Sequence, residues 1–153
     1  GQLRVRLMRS GAEVLVDSRQ TLPANAPNTT EPNHCALAFL NEPCILENTR
    51  LRFENDAIYT LVGTVLVAIN PCTQVHIYGE QVMKDHVGKE LNPHVYSMGE
   101  AAYRSIVSDR ASAALVMSGE SGAGKTETAK HVMRYLAWRS NISSGGSGGL
   151  AKR

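Results

Sequence analysis

The chain has 153 residues, 42% of them hydrophobic and 20% charged, the balance of one globular domain with a sizeable core rather than a disordered tail. With 16 basic and 14 acidic residues the formal charge is +2, which excludes a field strong enough to draw nucleic acid. Cys35, Cys44 and Cys72 are widely spaced with no C-x-x-C pair, and the five histidines are scattered, so neither a disulfide framework nor a metal centre is indicated and the thiols read as free.

At the N-terminus, Leu3–Leu7 and Glu13–Val16 are short β-type runs bridged by Arg9, Ser10 and Gly11, as in a hairpin. Arg4 and Arg6 alternate with apolar residues and read as a solvated strand face. The apolar run there is interrupted too often for a signal peptide, and no stretch approaches the ~18 apolar residues of a membrane helix. The expected location is the cytoplasm. Residues 22–32 carry three prolines and little to bury, the composition of a linker.

From His34 onward, Leu37, Leu40, Ile45 and Leu46 predict two short helices broken at Pro43, with Asn41 as a cap and Pro43 in a first turn. Ile58–Asn70 is rich in β-branched residues and reads as one strand, its second half covered on both faces, with a bend or bulge at Gly63. A helix is expected over about 94–109, with Val95, Met98, Ala102, Ile106 and Val107 on its apolar stripe. Ala113–Met117 reads as a further strand. A last helix, 125–138, places Ala129, Val132, Met133, Leu136 and Ala137 on one face. Residues 140–149 are Ser/Gly-rich and read as a flexible loop. Alternating strands and helices predict an α/β fold with a mainly parallel sheet, incomplete because too few strands are present to flank a central one.

Between the last expected strand and helix, Gly119, Glu120, Ser121, Gly122, Ala123, Gly124, Lys125 and Thr126 match the phosphate-binding pattern G-x-x-x-x-G-K-[ST] in full. The strand, glycine-rich loop, helix order is the context that pattern needs. Glycines let the loop wrap so that backbone N–H groups point at phosphate oxygens, and the helix N-terminus adds its positive end. Lys125 supplies a point charge for the β/γ-phosphates, and the Thr126 hydroxyl is a ligand for Mg²⁺. Glu120 must point away from such a cradle.

The spelling of that loop, continued through Glu127, Thr128, Ala129, Lys130, Arg134, Tyr135 and Leu136, closely resembles the myosin motor head. Leu40-Asn41-Glu42-Pro43, then Ile58-Tyr59-Thr60 through Ile69-Asn70-Pro71 with Tyr78 in an N-P-x₆-Y spacing, then Pro93-His94-Val95-Tyr96 and Ala102-Tyr103-Arg104, resemble the same family in the same order. Residues 33–36 lack the acidic pair usual before Leu-Asn-Glu-Pro, and Cys72 stands where an aromatic residue is common. Neither departure touches phosphate chemistry.

The resemblance implies four segments. These are the end of an SH3-like β-subdomain (1–21), a linker (22–32), the N-terminal part of a motor domain of P-loop NTPase type (33–139) and a surface loop (140–153). It implies ATP with Mg²⁺ as cofactor, with Asn70, Pro71 and Tyr78 lining the adenine pocket; spacing alone leaves Tyr78 readable as a core tyrosine. Glu127 has two readings, a ligand for base or ribose and an acidic first-turn residue; Lys130 and Arg134 read as a solvated helix face. It further implies actin filaments, and light chains or calmodulin, as partners through regions outside this segment. Both switch motifs lie downstream in that family, so no catalytic residue is expected within these residues, and the chain alone is expected to lack motor-like ATPase activity. The competing readings are a small P-loop kinase or NTPase, and an interaction module that keeps the fold as scaffold.

Overall fold

The computed structural model describes residues 1–7, 9–89 and 92–143. In chain order the elements are β1 (Gln2–Arg6), β2 (Glu13–Asp17), 3₁₀ turns at Ser18–Gln20 and His34–Ala36, α1 (Glu42–Glu54), β3 (Tyr59–Val62), β4 (Val65–Ala68), α2 (Glu80–His86), α3 (Val95–Val107) and α4 (Lys125–Ser143). No helix among the described residues is long and apolar enough to cross a membrane.

The N-terminal hairpin forms as expected, with Arg6 opposite Glu13 and the two side chains ion-paired at 3.1 Å. Its apolar residues stay open, Leu3 at 46% and Leu15 at 61% exposure. Asparagine amides tie the proline-rich stretch to α1 and to the residues leading into it. Asn25 both donates to and accepts from the Phe39 backbone, and Asn48 does the same with Glu31. At the head of α1 the Asn41 side chain accepts from Cys44 N–H at 3.1 Å and Pro43 sits in the first turn, where its missing donor costs nothing.

The single strand expected over 58–70 is instead an antiparallel hairpin, with Val62 opposite Val65. Gly63 has φ +60° while Thr64 does not, the pattern of a two-residue type II′ turn, so the glycine reverses the chain rather than bending it. Burial is also the reverse of the expectation. Tyr59, Thr60 and Leu61 in the first half are buried, and Val65 in the second half is 62% exposed. Among the described residues both sheets are two-stranded and antiparallel, and the parallel pairing present is an isolated bridge between Asn33 and Leu61. The mainly parallel sheet is therefore absent there. Residues 113–117 form no strand; they run without ladder partners, with Val116 at 90% exposure.

Helix α2 was unforeseen, and its seven residues are too few for a clear apolar period. α3 begins where expected, capped by His94, whose Nδ1 accepts from Tyr96 N–H at 3.1 Å. Ile106 and Val107 were placed on its apolar stripe but are 52% and 56% exposed. α4 continues five residues past the expected end, so residues 140–143 are helical rather than loop, and the rest of that Ser/Gly-rich stretch lies outside the described residues.

The core joins Ile58, Tyr59, Met83, Val95, Tyr96, Val132 and Tyr135. Tyr96 and Tyr135 stack with centroids 5.1 Å apart, and the helices carrying them approach so closely that a Cβ on Gly99 would lie 2.8 Å from the Tyr135 ring. This contact turns α4 by about one residue from its expected face, leaving Met133 61% exposed. Buried Glu100 completes the junction. Its carboxylate accepts from Tyr135 Oη (2.9 Å), Arg139 Nε (2.9 Å) and Gly88 N–H (3.1 Å), so the charge is paired and solvated by the protein.

Candidate functional site

The loop from Gly119 to Thr126 turns tightly into α4. Gly122 and Gly124 take φ of +81° and +94°, values that side-chain-bearing residues rarely adopt. α4 starts at Lys125, and the N–H groups of its first turn have no acceptors within the helix. The Lys125 ammonium folds back over the loop and donates to the carbonyls of Gly119 and Glu120, both at 2.7 Å. The ammonium is thus held at the loop's mouth by two backbone carbonyls. Glu120, Ser121 and Thr126 are exposed, and the open position of Glu120 agrees with a carboxylate directed away from an anion cradle.

The second half of the site comes from the segment after β4. Asn70 Nδ2 donates to the Gly122 carbonyl at 2.7 Å, and Asn70 Oδ1 accepts from Cys72 N–H at 2.9 Å. One side chain therefore fixes its own turn and pins it to the glycine-rich loop. Cys72 takes a positive φ of 52° in that turn. Tyr78 is half-buried, and its hydroxyl shares a 2.8 Å hydrogen bond with the Tyr59 hydroxyl. Its carbonyl accepts from the Tyr96 hydroxyl at 2.9 Å. Tyr78 packs against the core, as a core tyrosine does, and also borders a cavity.

That cavity, of about 70 Å³, brings Asn70, Pro71 and Tyr78 together with Ala123, Gly124 and Glu127, six of the twelve residues singled out from the sequence. It also exposes residues the sequence reading missed, Thr128 and His131. His131 stacks on Tyr78 with ring centroids 3.6 Å apart and planes 13° apart. The available signal was its position one turn after Glu127 on the same helix face. A larger apolar cavity of about 380 Å³ lies between β4 and residues 114–118 and is lined in part by Lys125; Ala68, Ala123 and Thr128 border both cavities.

Near the cavity one carboxyl is held toward its ionised form and two imidazoles toward their neutral form. Glu127 is exposed and bonds Lys130 at 2.6 Å, which holds its carboxyl below the usual value and keeps it ionised. Burial, with the Arg134 charge nearby, holds the His131 imidazole below its usual value, and His94 is pushed down to about 4 by burial and by His86. Among the described residues no cluster of three or more His, Cys, Asp or Glu is placed to hold a metal ion. The Thr126 hydroxyl is an oxygen donor, the kind of ligand that a hard cation such as Mg²⁺ takes.

Comparison with known proteins identifies the family. The family described as Myosin head (motor domain) matches residues 31–149. Myosin type-2 heavy chain 2 of Schizosaccharomyces pombe is 40% identical over 154 residues, covering 98% of this chain and 7% of the relative. Myosin-2 of Arabidopsis thaliana is 44% identical over 135 residues, 86% of this chain and 11% of the relative, and Myosin-8 of the same plant is 39% identical over 143 residues, 90% and 10%. The chain therefore spans about a tenth of the length of these relatives. The matched residues include both halves of the cavity described above, and the chain belongs to the myosin head (motor domain) family.

Proposed function

We propose that this chain is the ATP-binding N-terminal segment of an actin-based motor, in which ATP hydrolysis by the full-length protein drives movement along actin filaments. The observation that carries the reading is the Asn70–Gly122 hydrogen bond, which locks the base-side turn to the phosphate-side loop across one cavity. In this reading Lys125 leaves the Gly119 and Glu120 carbonyls to meet the β/γ-phosphates, and the loop amides from Gly119 to Lys125 hold their oxygens. Thr126 would hold Mg²⁺, which would offset the charge of the phosphates. Asn70, Pro71, Tyr78 and Glu127 border the base. Residues 33–139 then form the start of a P-loop NTPase-type domain, preceded by the end of an SH3-like unit and a linker, in a cytoskeleton-associated protein that takes light chains or calmodulin elsewhere.

The test is equilibrium binding of a fluorescent ATP analogue with Mg²⁺ to the full-length protein and its Lys125→Ala variant. The proposal predicts about ten- to hundredfold weaker binding in the variant, since a charge-assisted contact to phosphate contributes about 1.5–3 kcal/mol. Equal binding by both proteins contradicts it.

A further inference from the structure

We propose that His131 determines base specificity in this site, meeting the hydrogen-bonding edge of the purine with an imidazole nitrogen while its ring stays stacked on Tyr78. The proposal rests on the nucleotide reading above and names a residue that reading did not contain. His131 lies in the wall of the cavity that holds Asn70, Pro71, Tyr78 and Glu127. The stack on Tyr78 at 3.6 Å, rather than any hydrogen bond, holds its ring. Its Nδ1 is shut off from solvent and has no hydrogen-bond partner among the described residues, which is rare for a buried nitrogen and is relieved by a ligand that supplies one.

The other polar side chains of that wall are engaged within the protein. The Asn70 amide serves Gly122 and Cys72, the Tyr78 hydroxyl serves Tyr59, Thr128 Oγ1 donates to Gly124, and Glu127 holds Lys130. The neighbouring imidazoles are engaged as well. His94 caps α3 through Nδ1 and donates from Nε2 to Ile77, and His86 donates from Nδ1 to Val82. Among the described residues His131 is left with an uncommitted nitrogen, on the ring edge turned away from solvent. A half-turn about χ2 exchanges the two edges of an imidazole and leaves a stacked ring in place, so Nδ1 can be presented to a ligand without disturbing Tyr78. At about 70 Å³ the cavity admits an edge of a purine rather than a whole nucleotide, so the base's donors and acceptors are what reach this wall.

The experiment measures binding of ATP, GTP and inorganic tripolyphosphate, each with Mg²⁺, to the full-length protein and to His131→Phe and His131→Gln. His131→Phe keeps a ring to stack on Tyr78 and removes the nitrogen. It is expected to lower the ATP-to-GTP preference about tenfold, the worth of one hydrogen bond, with tripolyphosphate binding held to within about twofold. His131→Gln, which keeps a hydrogen-bonding group, is expected to retain part of the preference. An unchanged ATP-to-GTP ratio in His131→Phe overturns the proposal, as does a parallel loss of all three ligands in both variants. If His131→Phe alone loses all three, His131→Gln decides by the same ratio: a selective fall supports the proposal and an unchanged ratio overturns it. Wild-type protein that binds tripolyphosphate with no preference between ATP and GTP removes the base subsite, whereas wild-type protein that binds none of the three removes the nucleotide reading itself.

Discussion

Asn70 and Gly122 are 52 positions apart in the chain and are joined by a 2.7 Å hydrogen bond from side-chain amide to backbone carbonyl. Because Asn70 Oδ1 also accepts from Cys72 N–H, the amide sets the shape of its own turn and the distance of that turn from the loop. Asn70→Ala removes both contacts. It is expected to weaken ATP binding by the full-length protein about tenfold, at one to two net hydrogen bonds of about 1 kcal/mol each, while tripolyphosphate binding changes little. Titration of both ligands checks this; equal weakening would place Asn70's role in the loop alone.

Gly99 is a packing requirement. A methyl group there meets Tyr135 Cδ1 at 2.8 Å, and that ring is fully buried against Tyr96. Gly99→Ala is expected to destabilise the α3–α4 contact by about 1–3 kcal/mol despite the better helix propensity of alanine, since overpacking a rigid ring outweighs a gain of about 1 kcal/mol. Faster hydrogen exchange at the amides of α3 and α4 is the readout.

The Glu100–Arg139 pair is a second constraint on α4. The Glu100 side chain is 3% exposed and that of Arg139 17%. Glu100→Ala leaves the guanidinium and the Tyr135 hydroxyl without their shared acceptor, at an expected cost of about 3 kcal/mol. Glu100→Gln, which still accepts, is expected to cost less than half of that. Thermal unfolding of the head region ranks the two variants.

Acid should loosen this region selectively. His34, His94 and His131 all have pKa values lowered chiefly by burial, His94 to about 4. His94 faces His86, Tyr59, Tyr78 and Tyr96. Between the ordinary histidine value of 6.5 and about 4 the unfolded chain binds protons that the folded one refuses, so stability is present above that window and is lost as pH falls through it. For His94 alone the loss reaches about 3 kcal/mol, at about 1.4 kcal/mol per unit. Hydrogen-exchange protection of α3 amides followed from pH 7 to pH 4 is expected to decline, and His94→Gln to flatten the decline.

What the sequence disclosed and what it hid separate along physical lines. The Asn41 cap with Pro43, the starts of α3 and α4, and the Gly119–Thr126 loop depend on local chemistry and stand at the expected places. The fold-back at Gly63 was hidden because one glycine serves a bulge and a reversal alike. The strand expected at Ala113–Met117 does not form because an apolar β-prone run needs a neighbour to pair with, which sequence pattern does not supply. The face of α4 was misplaced by one residue because Tyr135, polar at its tip, is drawn inward by Tyr96 and Glu100. His131 carried only its spacing of one helical turn from Glu127; its meaning comes from Tyr78, 53 positions away, through a stack that only the fold creates.

The most direct test is a structure of the full-length protein with Mg²⁺ and a non-hydrolysable ATP analogue. The account predicts the triphosphate in the loop from Gly119 to Thr126, Lys125 Nζ moved from the Gly119 and Glu120 carbonyls onto phosphate oxygens, and the adenine bordered by Asn70, Tyr78 and His131. Lys125 still folded onto those carbonyls, with the nucleotide bound elsewhere or not at all, would contradict it.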